Sequence, residues 1–276
     1  MAAWPPKGEY GMKKFLALFI GLMLLAPWQA FALQPKEQVI IDASDSIKGY
    51  ITVALDNCDN KHKVLVQKGE TQYFYTFNMN SKRENLPLQM GEGNYKITVY
   101  ENINGTSYRP LKSLSVVADF QSDTDPFLQS IQLIEWDSSM PAIAKVAELI
   151  KDLDSDGAKV AAVHKYVISN VKYDYSKINA LPSTYLPDIN DTYQSNKGIC
   201  YDFSSLMAGM LRSAGIPTKL IKGYTPNATG YHAWNEVLID GEWVVIDASY
   251  DSQMKAAGKR YSMRKDAALY SKSYEY

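Results

Sequence analysis

The sequence predicts an α+β protein in which an all-β sandwich precedes a domain of helices packed on an antiparallel sheet. Three observations predict it. Across residues 38–117 apolar residues alternate or run in short stretches between turn residues. From Pro141 the apolar period lengthens to that of a helix. After Pro217 three strand-like runs follow, and Asp240-Gly241, a dipeptide suited to a two-residue hairpin turn, joins the last two.

Taken in order, the first element is a targeting segment. "MKKFLALFIGLMLLAPWQAFA" has two lysines, an apolar centre and small residues at Ala30 and Ala32. This is the secretory pattern, with cleavage before Leu33 and Met12 as the natural start, so residues 1–32 are read as a signal peptide. The apolar run is short for a retained membrane span. The expected location is secreted, extracellular or in the cell envelope, with no membrane attachment after cleavage.

The runs "GYITVAL", "HKVLVQ", "TQYFYTFN", "NYKITVYEN" and "KSLSVVADF" are rich in Val, Ile, Tyr and Phe. Turns such as "DNCDN" and "GEGN" separate them, and this spacing predicts an Ig-like β-sandwich over residues 33–120. Residues 121–140 are read as a linker. The second domain, 141–276, opens with two candidate helices, "PAIAKVAELIKDL" and "GAKVAAVHKYVISNV". Between them "DLDSDG" has the look of a calcium loop, but its twelfth position is Val163 where such a loop needs a chelating glutamate. A turn with Ser155 or Asp156 capping the next helix is the better reading. His164 on that helix has no partners at metal spacing and is expected as a packed or surface histidine. An irregular stretch with Pro182 and Pro187 ends at Lys197.

"SNKGICYDFSSLMAGMLRSAGIP" then places Ile199, Phe203, Leu206, Met207 and Met210 on one helical stripe, with Gly215 and Pro217 as stop signals. Gly198 lets the chain turn into this helix, and Ser195 or Asn196 is placed to cap it. Cys200 falls in the first turn, where unpaired N–H groups and the helix dipole favour a thiolate. The plain alternative is a small buried core residue. The chain has only one other cysteine, Cys58. A disulfide between the two would remove the nucleophile, but Cys58 lies in a polar stretch with no chemical company.

Strand parity adds two residues. If Asp240-Gly241 is a two-residue turn, Ile239 faces Glu242 and Trp234 faces Asp247. His232, Trp234 and Asp247 then share a face, with His232 and Asp247 as diagonal neighbours. A thiol at a helix start needs a base, and a carboxylate fixes that base's tautomer and charge. Cys200, His232 and Asp247 supply these roles. Singly, His232 reads as a half-buried strand histidine and Asp247 as a strand-end turn residue.

"GICYDFSSLMAGMLRSAGIPTKLIKGY" followed by "YHAWNEVLIDGEWVVIDAS" resembles the transglutaminase-like superfamily. The resemblance rests on Gly198 before Cys200, the turn at Gly215 to Pro217, Gly223-Tyr224, His232 with Trp234, and Trp243 before Asp247. It implies a papain-like fold, catalysis through Cys200, His232 and Asp247, and a thioester formed from an amide. Water as acceptor gives a peptidase or amidase, and a lysine amine gives a transamidase. The backbone N–H of Cys200 is one expected oxyanion donor, and Gln194 and Tyr193 are candidates for the second. Tyr201, Trp234 and Trp243 read as walls and core. The expected partner is a protein or peptide substrate, including peptides of the cell envelope.

A net charge of −1 over 276 residues gives no electrostatic case for nucleic acid. No cofactor and no metal site is implied. The alternative class is a non-catalytic cell-surface or matrix binding protein that kept the fold. A structural adhesin built from the β-domain is a third.

Overall fold

The computed structural model describes residues 38–56, 60–78, 80–182 and 184–276. The segment read as a signal peptide, residues 1–32, and Cys58 lie outside them. The first half is two antiparallel sheets. One has the order β1 (Val39–Asp42), β2 (Tyr50–Leu55), β5 (Arg83–Pro87). The other has the order β4 (Thr71–Thr76), β3 (His62–Lys68), β6 (Gly93–Asn104), β7 (Ser107–Ala118). Ile51, Val53 and Leu86 of the first sheet and Val64, Val66 and Ile97 of the second are fully buried in one core. This is the alternation that the strand runs predict.

Two strands were not foreseen, β1 and β5. In β5 the pattern is broken by Glu84, which turns inward and is 8% exposed. Its carboxylate accepts from the Asn78 N–H at 3.1 Å and from Gln132 Nε2 at 2.5 Å. Burial pushes its pKa up to about 7 despite those donors. Both donors lie outside the strand, so nothing in "RENLP" announces them.

Residues 121–140 are packed against their surroundings. Phe127, Ile131, Leu133 and Ile134 are buried. Gly49, at φ 90°, sits so close to Pro126 that a Cβ there would come within 2.6 Å of the proline ring. Asn85 donates to the Ser130 carbonyl, and Gln132 to that of Thr76. The core that begins between the sheets continues through Ile131 and Leu133 into the helices.

The second half opens with α1 (Pro141–Ile150) and α2 (Asp156–Asn170). Ser155 caps α2, its hydroxyl accepting from the Ala158 N–H. A two-residue strand, β8 (Lys172–Tyr173), follows, then α3 (Ile189–Ser195), capped by Asp188. α3 lies in the stretch read as irregular. At seven residues it is too short to carry a helical period. β9 (Lys197–Gly198) pairs in parallel with β8 and leads into α4 (Cys200–Ser213).

α4 is the centre of this half. The stripe from Ile199 to Met210 is buried as expected, but so are Ser204, Ser205 and Arg212 on its other sides. Their polar groups are met by backbone: Ser205 Oγ donates to Leu133 O, and the Arg212 guanidinium donates to the carbonyls of Thr218, Gln129 and Tyr276. α4 packs on an antiparallel sheet of order β12 (Glu242–Ile246), β11 (His232–Ile239), β10 (Thr218–Tyr224), β13 (Ser271–Glu275). Between β12 and β13 lies α5 (Ala248–Ala256). The β11–β12 turn has positive φ at both Asp240 and Gly241, and Ile239 pairs with Glu242. Tyr274 and Tyr276 reach the β-sandwich, each ring meeting Tyr73 edge-on at 5.6 Å.

Candidate active site

The start of α4 explains the glycine two residues before the cysteine. Asp202, in the first turn and fully buried, accepts from the Ile199 N–H through Oδ2 at 2.8 Å. The helix start is therefore closed by Asp202 from inside rather than by Ser195 or Asn196 from outside. A Cβ at Gly198 would stand 2.6 Å from the Asp202 Cβ. The position needs glycine for close approach and not for a positive φ. Lys177 Nζ salt-bridges the same carboxylate at 2.9 Å and the Tyr185 hydroxyl bonds its other oxygen. Asp202 thus ties the 177–185 segment to the turn that carries Cys200.

Cys200 is a free thiol, 7% exposed. His232, at the head of β11, is 5% exposed, and Asp247, just past β12, is fully buried. As strand parity predicts, His232 Nε2 lies 2.8 Å from Asp247 Oδ2. Asp247 also accepts from Ser249 Oγ and the Tyr250 N–H at 3.0 Å, and from the Tyr270 hydroxyl at 3.1 Å. It is at once the N-cap of α5 and the anchor of the imidazole. Trp234 stacks on the same ring at 6.3 Å and 24°. With Nε2 held by Asp247, Nδ1 is the ring nitrogen left for the Cys200 thiol, which interacts with the imidazole.

The electrostatics follow from this packing. Burial alone would depress His232, but the hydrogen bonds to Asp247 and Cys200 and their negative charges outweigh it and raise its pKa to about 10. Burial would raise Asp247, and the His232 imidazolium with its other donors turns the balance and holds it below the usual carboxylate range. The arrangement favours a charged imidazole beside the Asp247 carboxylate.

Tyr193 and Gln194 are not found at the thiol. The Tyr193 ring stacks on Tyr166 of α2 at 6.2 Å. Gln194 is exposed on α3 and makes no hydrogen bond to the Cys200 turn among the described residues. Tyr173 stands there instead. Its strand pairs it with Gly198, its ring stacks on Phe203, and its hydroxyl lies against the backbone N–H and thiol of Cys200. Burial first, then the charge of the Cys200 thiolate, holds that hydroxyl far above the ordinary tyrosine range, so it keeps its proton. The parallel pairing of β8 with β9 brings it in, and two residues give no periodicity to read. Tyr270 was missed for a related reason: its segment, between α5 and β13, is irregular. Trp243 lies away from the site, against Phe127 and Lys219.

A second buried His–Asp pair exists. His164 Nε2 of α2 meets Asp251 Oδ2 of α5 at 2.9 Å, and Lys265 bonds the other oxygen. It clamps two helices and has no nucleophile beside it among the described residues.

Comparison with known proteins agrees with the residue pattern. Residues 143–248 match the model of the transglutaminase-like superfamily. Over 199 residues, 61% of this chain, the sequence is 30% identical to YebA of Bacillus subtilis (strain 168), a protein without a described role, and the match spans 26% of that protein. Over 119 residues, 39% of this chain, it is 25% identical to kyphoscoliosis peptidase of Mus musculus, spanning 18% of it. The chain thus covers about a quarter or less of these two relatives. A crystal structure of a candidate cysteine protease from Cytophaga hutchinsonii aligns with 73% of this chain and 74% of its own, at 18% identity and a TM-score of 0.42.

Proposed function

We propose that the transglutaminase-like half of this chain is a cysteine-dependent amide-bond enzyme, exported by the signal segment and working on protein or peptide substrates of the cell envelope or exterior. The observation that carries this reading is the single imidazole shared by a buried thiol and a buried carboxylate, with the thiol at a helix start.

The chemistry follows from those positions. The Cys200 thiolate attacks the carbonyl carbon of an amide. The Cys200 N–H and the Tyr173 hydroxyl are the two donors for the resulting oxyanion. The C–N bond breaks as His232 gives its proton to the leaving amine, leaving an acyl thioester on Cys200. Asp247 holds the imidazole in one orientation and favours its charged form. A water molecule, deprotonated by His232, then attacks the thioester; the C–S bond breaks and the acid leaves. A primary amine in place of water gives transamidation with the same residues. Hydrolysis is the favoured outcome, because water is abundant outside the cell and no second-substrate amine site is evident from the residues.

The test is to trap Cys200 with iodoacetamide and compare wild type with Cys200→Ala on peptide libraries, with and without an added primary amine. Cleavage or amine incorporation by the wild type alone is expected. A thiol that resists alkylation, or a Cys200→Ala protein as active as the wild type, overturns the reading and favours a non-catalytic binding protein.

A further inference from the structure

We infer that Lys222 forms a carboxylate-binding subsite beside Cys200, so that the preferred acyl donor carries a carboxylate next to the amide it presents. This rests on the reading of Cys200 as the nucleophile and adds the substrate class.

Lys222 lies in β10, in register with Ala233 of β11 and Tyr274 of β13. Its ammonium sits 3.8 Å over the ring of Tyr201, the residue after Cys200, and 5.2 Å from the ring of Tyr276. The charge of the Cys200 thiolate reaches it. Elsewhere in this half, half-buried lysines are paired. Lys177 meets Asp202, Lys219 meets Glu275, Lys265 meets Asp251 and Lys272 meets Glu236. Lys222 has no carboxylate and no hydrogen-bond acceptor among the described residues. As a residue it is only partly covered.

A desolvated ammonium with no counter-charge is costly. Two tyrosine faces offset part of that cost, because the ring quadrupole attracts a cation. They carry no net negative charge, so no carboxylate stands against the ammonium. Burial lowers the Lys222 pKa to about 8, which shows how poorly water serves it. A carboxylate docking there gains a charge-assisted hydrogen bond in a partly dry setting. Because Lys222 lies over Tyr201 and within electrostatic reach of the Cys200 thiol, an anion held on its ammonium is placed near the reacting carbonyl. Stabilising the thiolate is the competing role for the same charge, and it predicts a different result.

The carboxylate can come from an acidic side chain or from a peptide's terminal carboxyl. Four small ligands separate the sources: N-acetyl-glutamate N-methylamide against its glutamine counterpart, and N-acetyl-alanyl-alanine against its amide. Each is titrated for protection of Cys200 from iodoacetamide in the full mature chain. The carboxylate member of one pair should protect at about tenfold lower concentration than its neutral mate. Lys222→Met should erase that difference, with each ligand's protection read against the variant's own unliganded alkylation rate, while leaving the melting temperature near wild type. Lys222→Arg should keep most of it. Equal protection within both pairs overturns the inference and leaves the charge serving only the thiol, and a Lys222→Met protein that keeps the wild-type difference overturns it as well. If Cys200 resists alkylation altogether, the enzyme reading fails first, and calorimetric binding of the same four ligands still decides on Lys222. If Lys222→Met does not fold, the wild-type pairs and Lys222→Arg decide.

Discussion

At the scale of single residues, the central fact is one imidazole held between a buried carboxylate and a thiol. Asp247→Asn keeps a capping oxygen for α5 but removes the charge opposite His232. Turnover should fall by about two to four orders of magnitude, and the melting temperature should drop at neutral pH because the charge that holds the imidazolium is gone; a fall below tenfold in a steady-state assay would contradict the role given to Asp247. The pKa of His232 predicts a pH profile. It is raised in the folded state from 6.5 to about 10, so the folded protein binds the proton more tightly. The resulting stabilisation is complete below pH 6.5 and is lost as pH rises through about 10. Activity should share that limb, because a neutral ring has no proton for the leaving amine. A limb of kcat/KM near pH 6.5 would show that the imidazole is not held in this way. Tyr173→Phe keeps the ring on Phe203 and removes the hydroxyl beside the Cys200 N–H. It should lower kcat by about 10- to 1,000-fold in a steady-state assay, with Cys200 still open to iodoacetamide. His232 and Asp247 were legible because strand parity is a local rule with a fixed period. Tyr173 was not, because its place depends on a two-residue parallel pairing between segments far apart in sequence.

At the scale of elements, α4 shows what a helical stripe can and cannot tell. The stripe located the helix and its first turn correctly. It gave no hint that Ser204, Ser205 and Arg212 are buried too, since their partners are carbonyls from other segments. The capping was also misassigned for a physical reason. Sequence rules look upstream for a capping side chain, whereas here Asp202 reaches back from within the helix. Gly198→Ala tests that arrangement. Its methyl would overlap Asp202 and displace the turn holding Cys200. A loss of about 1–3 kcal/mol in denaturant unfolding is expected, with slower alkylation of Cys200. An alanine variant with wild-type stability would mean that the turn has room to spare. The hairpin, by contrast, was legible down to its register, because Asp240-Gly241 admits few turn geometries.

At the scale of the whole molecule, the division of the chain near residues 121–126 is a change of pattern across which one hydrophobic core continues. Tyr73 and Tyr75 of the sandwich meet Tyr276, and Leu133 accepts from Ser205 of α4. Limited proteolysis within 121–126 should therefore yield two fragments that co-elute in size exclusion and part only in denaturant. Fragments that separate without denaturant would show two independent units. Such long-range packing is invisible to local periodicity, which is why the strand and helix content could be read and the seam could not. The position of β13 has a consequence for synthesis. A chain emerging amino end first presents Cys200 well before His232, Asp247 and Tyr270, and β10 must wait for β13 to gain its outer neighbour. These contacts are distant in sequence, and such contacts form late. During translation the thiol is therefore made before the imidazole that is to partner it, and the constellation is complete only as the nascent polypeptide finishes folding, when there is least unfolded self within reach.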